Sequence, residues 1–210
     1  MKRVLVISPH PDDESIGCGG TLRDHILHGA IVHVLFLTSG ERGGHGRPMK
    51  ETTRVREQEA KVAAGVLGIA RIEFWREPDG AFRVTRELVD RVSKKLKEWR
   101  PEIVYVTHER EMHPDHRAAC RLVRRALSAV DSAVIKPIVM QFEVWTPIQR
   151  IDHVVDISPH IDLKMSAIRA YKSQCAVMRF DEAVLGLSRY RGEMHSWPGG
   201  DYAEIFTILR

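Results

Sequence analysis

The sequence contains no apolar run that approaches the roughly 20 residues of a membrane-spanning helix, so we expect no membrane span. Cysteine is also scarce, and the three thiols are odd in number and far apart, at Cys18, Cys120 and Cys175. This spacing indicates neither a disulfide framework nor a Cys-x-x-Cys metal site. Residues 1–3 lead directly into the first apolar run, which leaves no room for a signal peptide. We therefore expect a cytoplasmic protein.

A strong excess of one charge is absent as well. The formal net charge is only +4, with 32 Lys and Arg against 28 Asp and Glu. Part of the basic character lies in residues 83–100, where apolar residues recur at helical spacing and the cations form the solvated face of an amphipathic helix. No nucleic-acid-binding motif accompanies them, so we expect no nucleic-acid partner. An anionic substrate is compatible with this charge but does not follow from it.

The dinucleotide-binding fingerprint is missing, although glycines open the first predicted helix. Gly17, Gly19 and Gly20 follow the first apolar run, but their spacing is not G-x-G-x-x-G. The carboxylates that precede them would also repel a pyrophosphate. We therefore exclude a dinucleotide site and interpret these glycines as a turn that precedes a helix.

The remaining pattern is typical of a globular α/β protein. Of the 210 residues, 43% are hydrophobic and 29% are charged, which suits a single domain over residues 1–210. Apolar runs alternate with segments of helical periodicity, which predicts a Rossmann-like three-layer fold with a mostly parallel sheet and an elaborated C-terminal third. The predicted strands cover residues 4–7, 31–37, 72–75, 103–107, 138–145, 153–157 and 204–209. The predicted helices cover residues 21–28, 53–67, 83–100, 117–130, 159–174 and 179–193.

The densest group of reactive side chains follows the first predicted strand, in the segment Ser8–Glu14. Open α/β sheets bind their ligands at the carboxyl ends of strands, which is where this segment stands. His10 and Asp13 are three residues apart and could close on one metal ion, which leaves Asp12 free to act as a base. The alternative is a strand-to-helix turn with Asp13 or Ser15 as the helix cap. We favour the metal site, because three adjacent carboxylates repel one another unless a cation or a proton intervenes.

A second cluster, Glu111–His116, follows the predicted strand Ile103–Thr107 and precedes a helical pattern. If the two strands are neighbours in a parallel sheet, the two clusters face each other at one edge of it. One histidine and one carboxylate from the first cluster and one histidine from the second then make a three-ligand metal site. The fourth position of such a site remains for water, as hydrolytic zinc requires.

Two further segments place polar residues after predicted strands. The loop 38–49 is rich in glycine and charge and lies on the same edge as the metal cluster, which favours a substrate-contacting loop over a plain solvated one. His45 in this loop has no spaced partner and is a poor metal ligand. Asp79 belongs to Glu77–Gly80, where turn chemistry alone accounts for it.

The pair of motifs, PHPDDE after the first strand and HPDH after a later one, resembles the PIG-L (LmbE-like) family of zinc-dependent N-deacetylases. The double motif is specific, whereas either half alone would be weak. Further segments extend the resemblance over nearly the whole chain: Thr38–Glu41, Arg56–Glu59 with the following Leu67–Ile69, and Ser173–Gln174.

The resemblance implies a zinc ion bound by His10, Asp13 and His116. Fe²⁺ is the alternative, because two histidines and a carboxylate also suit non-haem iron. In the implied mechanism Asp12 is the general base for a zinc-activated water. His113 stabilises the oxyanion or protonates the leaving amine.

Asp115 is expected to orient one of the histidine ligands. The structural alternatives are a helix cap for Asp115 and a helix-start histidine packed by Pro114 for His113. Some members of the family carry a tyrosine, credited with helping the oxyanion, at the position of Glu111. If His113 acts as an acid, a carboxylate contact from Asp115 or Glu111 would raise its pKa.

Three residues are expected to contact the substrate. The resemblance places Arg56 and Asp79 near it, and Glu41 joins them as part of the substrate-contacting loop. For Arg56 the alternative is a surface ion pair with Glu59, three residues further along a helix.

The expected activity is removal of the acetyl group from an N-acetylglucosamine-type substrate, a sugar or a sugar conjugate. Two alternatives remain: a zinc amidase or esterase with another substrate, and a catalytically silent protein that binds a sugar or a metal. The free carboxylate of Asp12 argues against a silent protein, since binding alone does not need it. A homo-oligomer is compatible with the sequence.

Overall fold

A seven-stranded sheet runs through the residues that the computed structural model describes, which are 1–131, 136–195 and 200–210. The strands are β1 (Arg3–Ser8), β2 (Ile31–Phe36), β3 (Arg71–Phe74), β4 (Ile103–Thr107), β5 (Ile138–Phe142), β6 (His153–Asp156) and β7 (Ala203–Ile208). The helices are α1 (Asp13–Leu27), α2 (Met49–Leu67), α3 (Arg86–Trp99), α4 (Pro114–Ser128), α5 (Ile161–Ala170), α6 (Lys172–Cys175) and α7 (Phe180–His195).

The strand order is β3-β2-β1-β4-β5-β7-β6, with β1 to β5 parallel and β7 antiparallel to both of its neighbours. This confirms the predicted α/β fold with a mostly parallel sheet and an elaborated C-terminal third. Strands β1 and β4 are adjacent, with Val4 opposite Ile103 and Ile7 opposite Val106. The chain order reverses between these two strands, so a crevice for a ligand opens at their carboxyl ends.

The residues of β1 alternate between two buried clusters, one on each face of the sheet. Val4 and Val6 belong to the cluster that includes residues of α1, α2 and α5. Leu5 and Ile7 belong to the cluster that includes residues of α3 and α4. Burial on both faces explains why this strand is a continuous apolar run, as is usual in parallel sheets.

Helix α1 begins earlier than predicted. It starts at Asp13 and contains the glycine-rich stretch, with a kink at Cys18, where φ is −146° and ψ is 15°. A Cβ on Gly17 would lie 2.1 Å from the ring of Phe142, and one on Gly20 would be 2.7 Å from its nearest neighbour. The interpretation of these glycines as a turn is therefore wrong, because they permit close packing inside a kinked helix.

The C-terminal third differs from the prediction in two places. The helix predicted over residues 159–174 is divided into a 3₁₀ turn at Ser158–His160 and the helices α5 and α6. The strand predicted over 138–145 ends at Phe142, and the residues after it form a loop beside the crevice. Within the three described ranges, no helix is long and apolar enough to cross a membrane.

Candidate active site

A cavity of about 340 Å³ lies at the carboxyl ends of β1 and β4, and we call it the active-site cavity. Residues of both predicted motifs line it, together with residues of the loop 38–49 and of the C-terminal third. The sheet therefore brings together the two segments that the sequence analysis singled out. The lining includes His10, Asp12, Asp13, Arg42, His45, Arg56, Asp79, His113, Trp145, Gln174, Met178 and Phe180.

Three side-chain atoms of the two motifs, two of them in residues that line the cavity, form a nearly equilateral triangle. His10 Nδ1, Asp13 Oδ2 and His116 Nε2 lie 3.2–3.3 Å from one another. A tetrahedral zinc ion with ligand bonds of 2.0–2.1 Å requires ligand atoms about 3.3 Å apart. The three residues are all at least nine-tenths buried. The donor set and its spacing therefore fit a divalent metal ion.

The second ring nitrogen of His10 points away from this triangle. His10 Nε2 lies 3.1 Å from Asp79 Oδ1 and 3.3 Å from Asp115 Oδ2. The same Asp115 oxygen accepts the backbone N–H of Gly80 at 2.6 Å. Because carboxylates occupy Nε2, Nδ1 is left as the atom that faces a metal. This contact is the one that the orienting role of Asp115 requires, and the role itself stays a prediction.

His113 is close to these residues, with one ring nitrogen within 4.8 Å of a ring nitrogen of His10 and of one of His116. Its Nδ1 accepts the backbone N–H of Asp115 at 3.2 Å and thereby caps helix α4. Asp115 is therefore not the cap. Because Nδ1 acts as an acceptor, the proton of a neutral His113 ring resides on Nε2.

The expectation that a carboxylate raises the pKa of His113 is wrong in this structure. Burial lowers the pKa of His113, and the nearby His10 and His116 rings lower it further. The opposing effect of Asp115 is smaller. His113 is therefore better suited to donate a hydrogen bond from a neutral Nε2–H than to act as a protonated acid.

Asp12 lies beside the triangle without belonging to it. Its backbone has a φ of 126°, a conformation that is strained for a residue other than glycine. Two contacts hold it: Glu14 Oε2 accepts its N–H at 3.1 Å, and Arg56 Nη2 donates to its Oδ2 at 2.9 Å. In the described chain Asp13 and Ser15 lie inside α1, and Asp12 occupies the N-cap position without a capping hydrogen bond from its side chain, so the interpretation of Asp13 or Ser15 as the cap is wrong.

The electrostatic environment of Asp12 brings its pKa near neutrality. Burial raises the pKa of Asp12 to about 7. The positive charge of Arg56 acts in the opposite direction, but its effect is smaller. A general base works best when its pKa is close to the operating pH. The position and the pKa of Asp12 therefore both suit the base that the sequence analysis predicted.

Arg56 is buried, at 4% exposure, and does not form the surface pair with Glu59. Besides Asp12, its guanidinium donates to the carbonyl oxygens of Pro11 and Gly40. Glu59 instead accepts the N–H and the hydroxyl of Ser173, both at 2.7 Å. Arg56 thus fixes the loop that carries Asp12 and also lines the cavity, and its contact with substrate stays a prediction.

Glu41 and Asp79 join two loops at the edge of the cavity. Glu41 Oε1 accepts the backbone N–H of Asp79 at 2.9 Å, and Asp79 Oδ2 accepts that of Arg42 at 2.8 Å. Asp79 lines the cavity, whereas Glu41 is not among the described residues that do so. The substrate contacts of both residues stay predictions.

Glu111, which stands at the position of the family tyrosine, lies behind the metal site. It is 1% exposed, and its Oε1 accepts the backbone N–H groups of residues 144–146 at 2.8–3.0 Å. Its Oε2 is 3.5 Å from His116 Nδ1, and neither atom has a hydrogen-bond partner in the described residues. Burial acts to raise the pKa of Glu111, but contacts with His108, His116 and the backbone amides hold it below its ordinary value. A charged carboxylate therefore faces His116 Nδ1, which is the arrangement that an orienting partner of a histidine ligand requires.

Sequence reasoning missed this role of Glu111, because the loop 144–146 is more than 30 residues away in the chain. It also missed the apolar wall formed by Trp145 and Phe180, whose rings meet edge to face at 5.5 Å. No local pattern marks either feature.

Replacing Glu111 with glutamine should weaken the binding of a divalent metal ion by about 10–100-fold, the usual effect of losing a partner of a histidine ligand. A glutamine amide that donates to His116 Nδ1 would favour the tautomer with its proton on Nε2, which cannot bind a metal. Competition with a chromophoric chelator measures the affinity. Glu109→Gln is the matched control, since Glu109 is exposed and contacts Arg124. Equal affinities of the two variants would contradict the role of Glu111.

The fold and the site together define a metal-dependent hydrolase of the α/β class. The chain belongs to the PIG-L family, since the family model described as GlcNAc-PI de-N-acetylase matches residues 5–127. The predicted resemblance is thereby confirmed.

Individual relatives cover most of the chain. The diacetylchitobiose deacetylase of Thermococcus kodakarensis is 31% identical over 193 residues, which span 83% of this chain and 70% of that protein. A probable N-acetyl-alpha-D-glucosaminyl L-malate deacetylase 2 of Bacillus cereus is 30% identical over 191 residues, which span 86% of this chain and 87% of that protein. The solved structure of the 4-carboxy-2-hydroxymuconate hydratase of Pseudomonas putida is similar with a TM-score of 0.89 at 25% identity, covering 100% of this chain and 97% of that one.

Proposed function

We propose that this protein is a zinc-dependent deacetylase that removes the acetyl group from an N-acetylglucosamine-type substrate, a free sugar or a sugar conjugate. The observation that carries the proposal is the triangle of His10, Asp13 and His116 with a separate carboxylate, Asp12, beside it. Two relatives are deacetylases whose names specify N-acetylated glucosamine compounds.

A zinc ion held by His10, Asp13 and His116 would polarise the amide carbonyl and lower the pKa of a water molecule to about 7. Asp12 accepts the proton of the attacking water, and Arg56 keeps its carboxylate in place through the 2.9 Å contact.

His113 acts on the other side of the amide. Its Nε2–H donates a hydrogen bond to the carbonyl oxygen as negative charge develops there. Because a neutral His113 has no additional proton to give, the proton that leaves with the amine is the one that Asp12 accepted from the water. Asp12 thus serves as base and then as acid.

The shape of the cavity supports a sugar as the substrate. Its base carries carboxylates and cations, whereas Trp145, Met178 and Phe180 form an apolar wall. A pyranose ring presents hydroxyl groups around its rim and C–H bonds on its faces, so it can contact both kinds of surface. The volume of about 340 Å³ is within the range of small-molecule sites.

The experiment is a substrate panel with amine release as the measurement. Zinc-loaded enzyme should release free amine from N-acetylglucosamine, diacetylchitobiose or an N-acetylglucosaminyl conjugate, and not from N-acetylated amino acids. Metal-stripped enzyme and the Asp12→Asn variant are the controls. Release from amino acids or simple esters alone would favour the broader amidase or esterase and contradict the sugar specificity.

The hydratase relative makes a second measurement necessary, since adding water to a C=C bond also uses a base and an activated water. Hydration consumes the ultraviolet absorbance of an unsaturated acid and releases no amine. Enzyme that bleaches an unsaturated dicarboxylic acid but releases no amine from any sugar would overturn the proposed deacetylase. Elemental analysis of the protein purified without added metal identifies the native ion, and we expect zinc at about one ion per chain.

A further inference from the structure

A second cavity, of about 360 Å³, is as large as the active-site cavity. None of the described residues lines both cavities, although the neighbours Trp145 and Thr146 each line one. The second cavity is distinguished by its arginines, and we call it the arginine cavity. These arginines are Arg110, Arg124, Arg150 and Arg210.

The arginine cavity has an excess of positive charge. Glu109 is the one acidic residue in its lining among the residues described, and it pairs with Arg124 at 2.6 Å. Arg150 and Arg210 both approach the same oxygen of Asp152, Oδ1, at 3.3 and 3.4 Å. Arg124 also donates to the Arg210 main-chain oxygen at 3.1 Å, and the four guanidinium groups outnumber the side-chain carboxylates that they contact.

The capacity of Asp152 to neutralise two arginines is further reduced. Its other oxygen, Oδ2, accepts the hydroxyl of Thr207 and the backbone N–H of Ile208, both at 2.9 Å. The remaining arginine, Arg110, has no ion-pair or hydrogen-bond partner for its side chain in the described chain. Its five N–H donors are therefore available to a ligand.

A buried amide in the lining also lacks a partner. Gln141 is 3% exposed, and its Oε1 accepts the backbone N–H of Glu109 at 3.0 Å and the thiol of Cys120 at 3.2 Å. The orientation of this side chain is thereby fixed, and its NH₂ group has no hydrogen-bond partner among the described residues. Unlike the fully buried unpaired atoms elsewhere in the described chain, this NH₂ group keeps some solvent exposure, so it can donate to a bound acceptor.

The rest of the lining is mixed, with the apolar Pro147, Ile148 and Leu209 beside polar side chains. Guanidinium groups match carboxylate and phosphate oxygens in paired hydrogen bonds. A surface pocket of this volume suits a small molecule, whereas a nucleic acid requires an extended basic track. We propose that the arginine cavity binds a small organic polyanion, a phosphate monoester or a polycarboxylate, at a site separate from the active site.

Isothermal titration of the zinc-loaded protein in about 150 mM NaCl tests the proposal, with glycerol 3-phosphate and tricarballylate as probes. At least one probe should bind once per chain with a Kd below about 1 mM. The double variant Arg110→Gln/Arg150→Gln should weaken this binding at least about tenfold, since it removes two charge-assisted contacts. Which probe binds distinguishes the phosphate from the carboxylate ligand.

Two controls make the result decisive. Arg54→Gln/Arg86→Gln removes the same charge from exposed positions outside the cavity and should leave the Kd unchanged. Asp12→Asn alters the active-site cavity and should also bind the probe normally. Failure of both probes, an equal loss in the Arg54/Arg86 control, or loss of binding in Asp12→Asn would overturn the proposal. Circular dichroism confirms that each variant is folded.

Discussion

Replacing Asp12 with asparagine should lower turnover by about 10²–10⁴ while the protein keeps its metal. The carboxamide has nearly the shape of the carboxylate but cannot accept a proton from water. The metal should remain, because the ligand triangle of His10, Asp13 and His116 does not include Asp12. The measurements are kcat on the best substrate of the panel and the metal content of the purified variant.

The adjacent residue provides a matched control for this substitution. Asp13→Asn makes the same chemical change one position further on, but it removes the ligand atom that lies 3.3 Å from both histidine nitrogens. This variant should lose metal as well as activity. If Asp12→Asn loses the metal and Asp13→Asn retains it, the two roles are exchanged. Near-normal turnover of Asp12→Asn would show that another group is the base.

The ligand triangle could be predicted from the sequence because its information is local. His10 and Asp13 lie within one short segment after a buried strand, and His116 lies in a second such segment. The only long-range requirement is that β1 and β4 are neighbours, which the strand order of doubly wound sheets supplies. Side chains at the ends of two adjacent parallel strands then converge without further assumptions.

The supporting contacts could not be predicted because they join distant parts of the chain. Glu111 reaches the backbone of residues 144–146, and Arg56 reaches Asp12 from a helix 44 residues away. From sequence alone, a pair three residues apart on a helix, such as Arg56 and Glu59, fits a surface ion pair as well as it fits an arginine that points into the site. Only the packing of α2 against the first motif turns Arg56 inward.

The state of His113 shows a second limit. Sequence places two carboxylates nearby and therefore favours a raised pKa, whereas the structure buries the ring beside two other histidines. The hydrogen bond from the Asp115 backbone also assigns the Nδ1 atom to helix capping. The burial of the His113 ring and the nitrogen that carries its proton both depend on tertiary geometry, and no sequence pattern indicates either of them.

Replacing Glu204 with glutamine should lower the free energy of unfolding by about 3–5 kcal/mol, the usual cost of leaving one partner of a buried ion pair alone. Glu204 Oε1 accepts a hydrogen bond from Lys164 Nζ at 2.6 Å, and both side chains are only 2% exposed. Glu204 also accepts the backbone N–H groups of Gly20 at 2.9 Å and Thr21 at 2.8 Å. These N–H groups follow the kink at Cys18, where the helical hydrogen bonding of α1 is interrupted.

Urea unfolding of the metal-free protein, followed by circular dichroism, measures this effect without the added stability of a bound ion. Glu193→Gln is the control, since it breaks an exposed pair with Arg189 and should cost less than about 1 kcal/mol. The double variant Lys164→Met/Glu204→Gln should recover part of the loss, because it leaves no buried charge unpaired. If Glu204→Gln is as stable as the control, or the double variant is no more stable than the single one, the unpaired Lys164 charge is not the cause. Recovery in the double variant would show that the buried, unpaired Lys164 charge causes part of the loss.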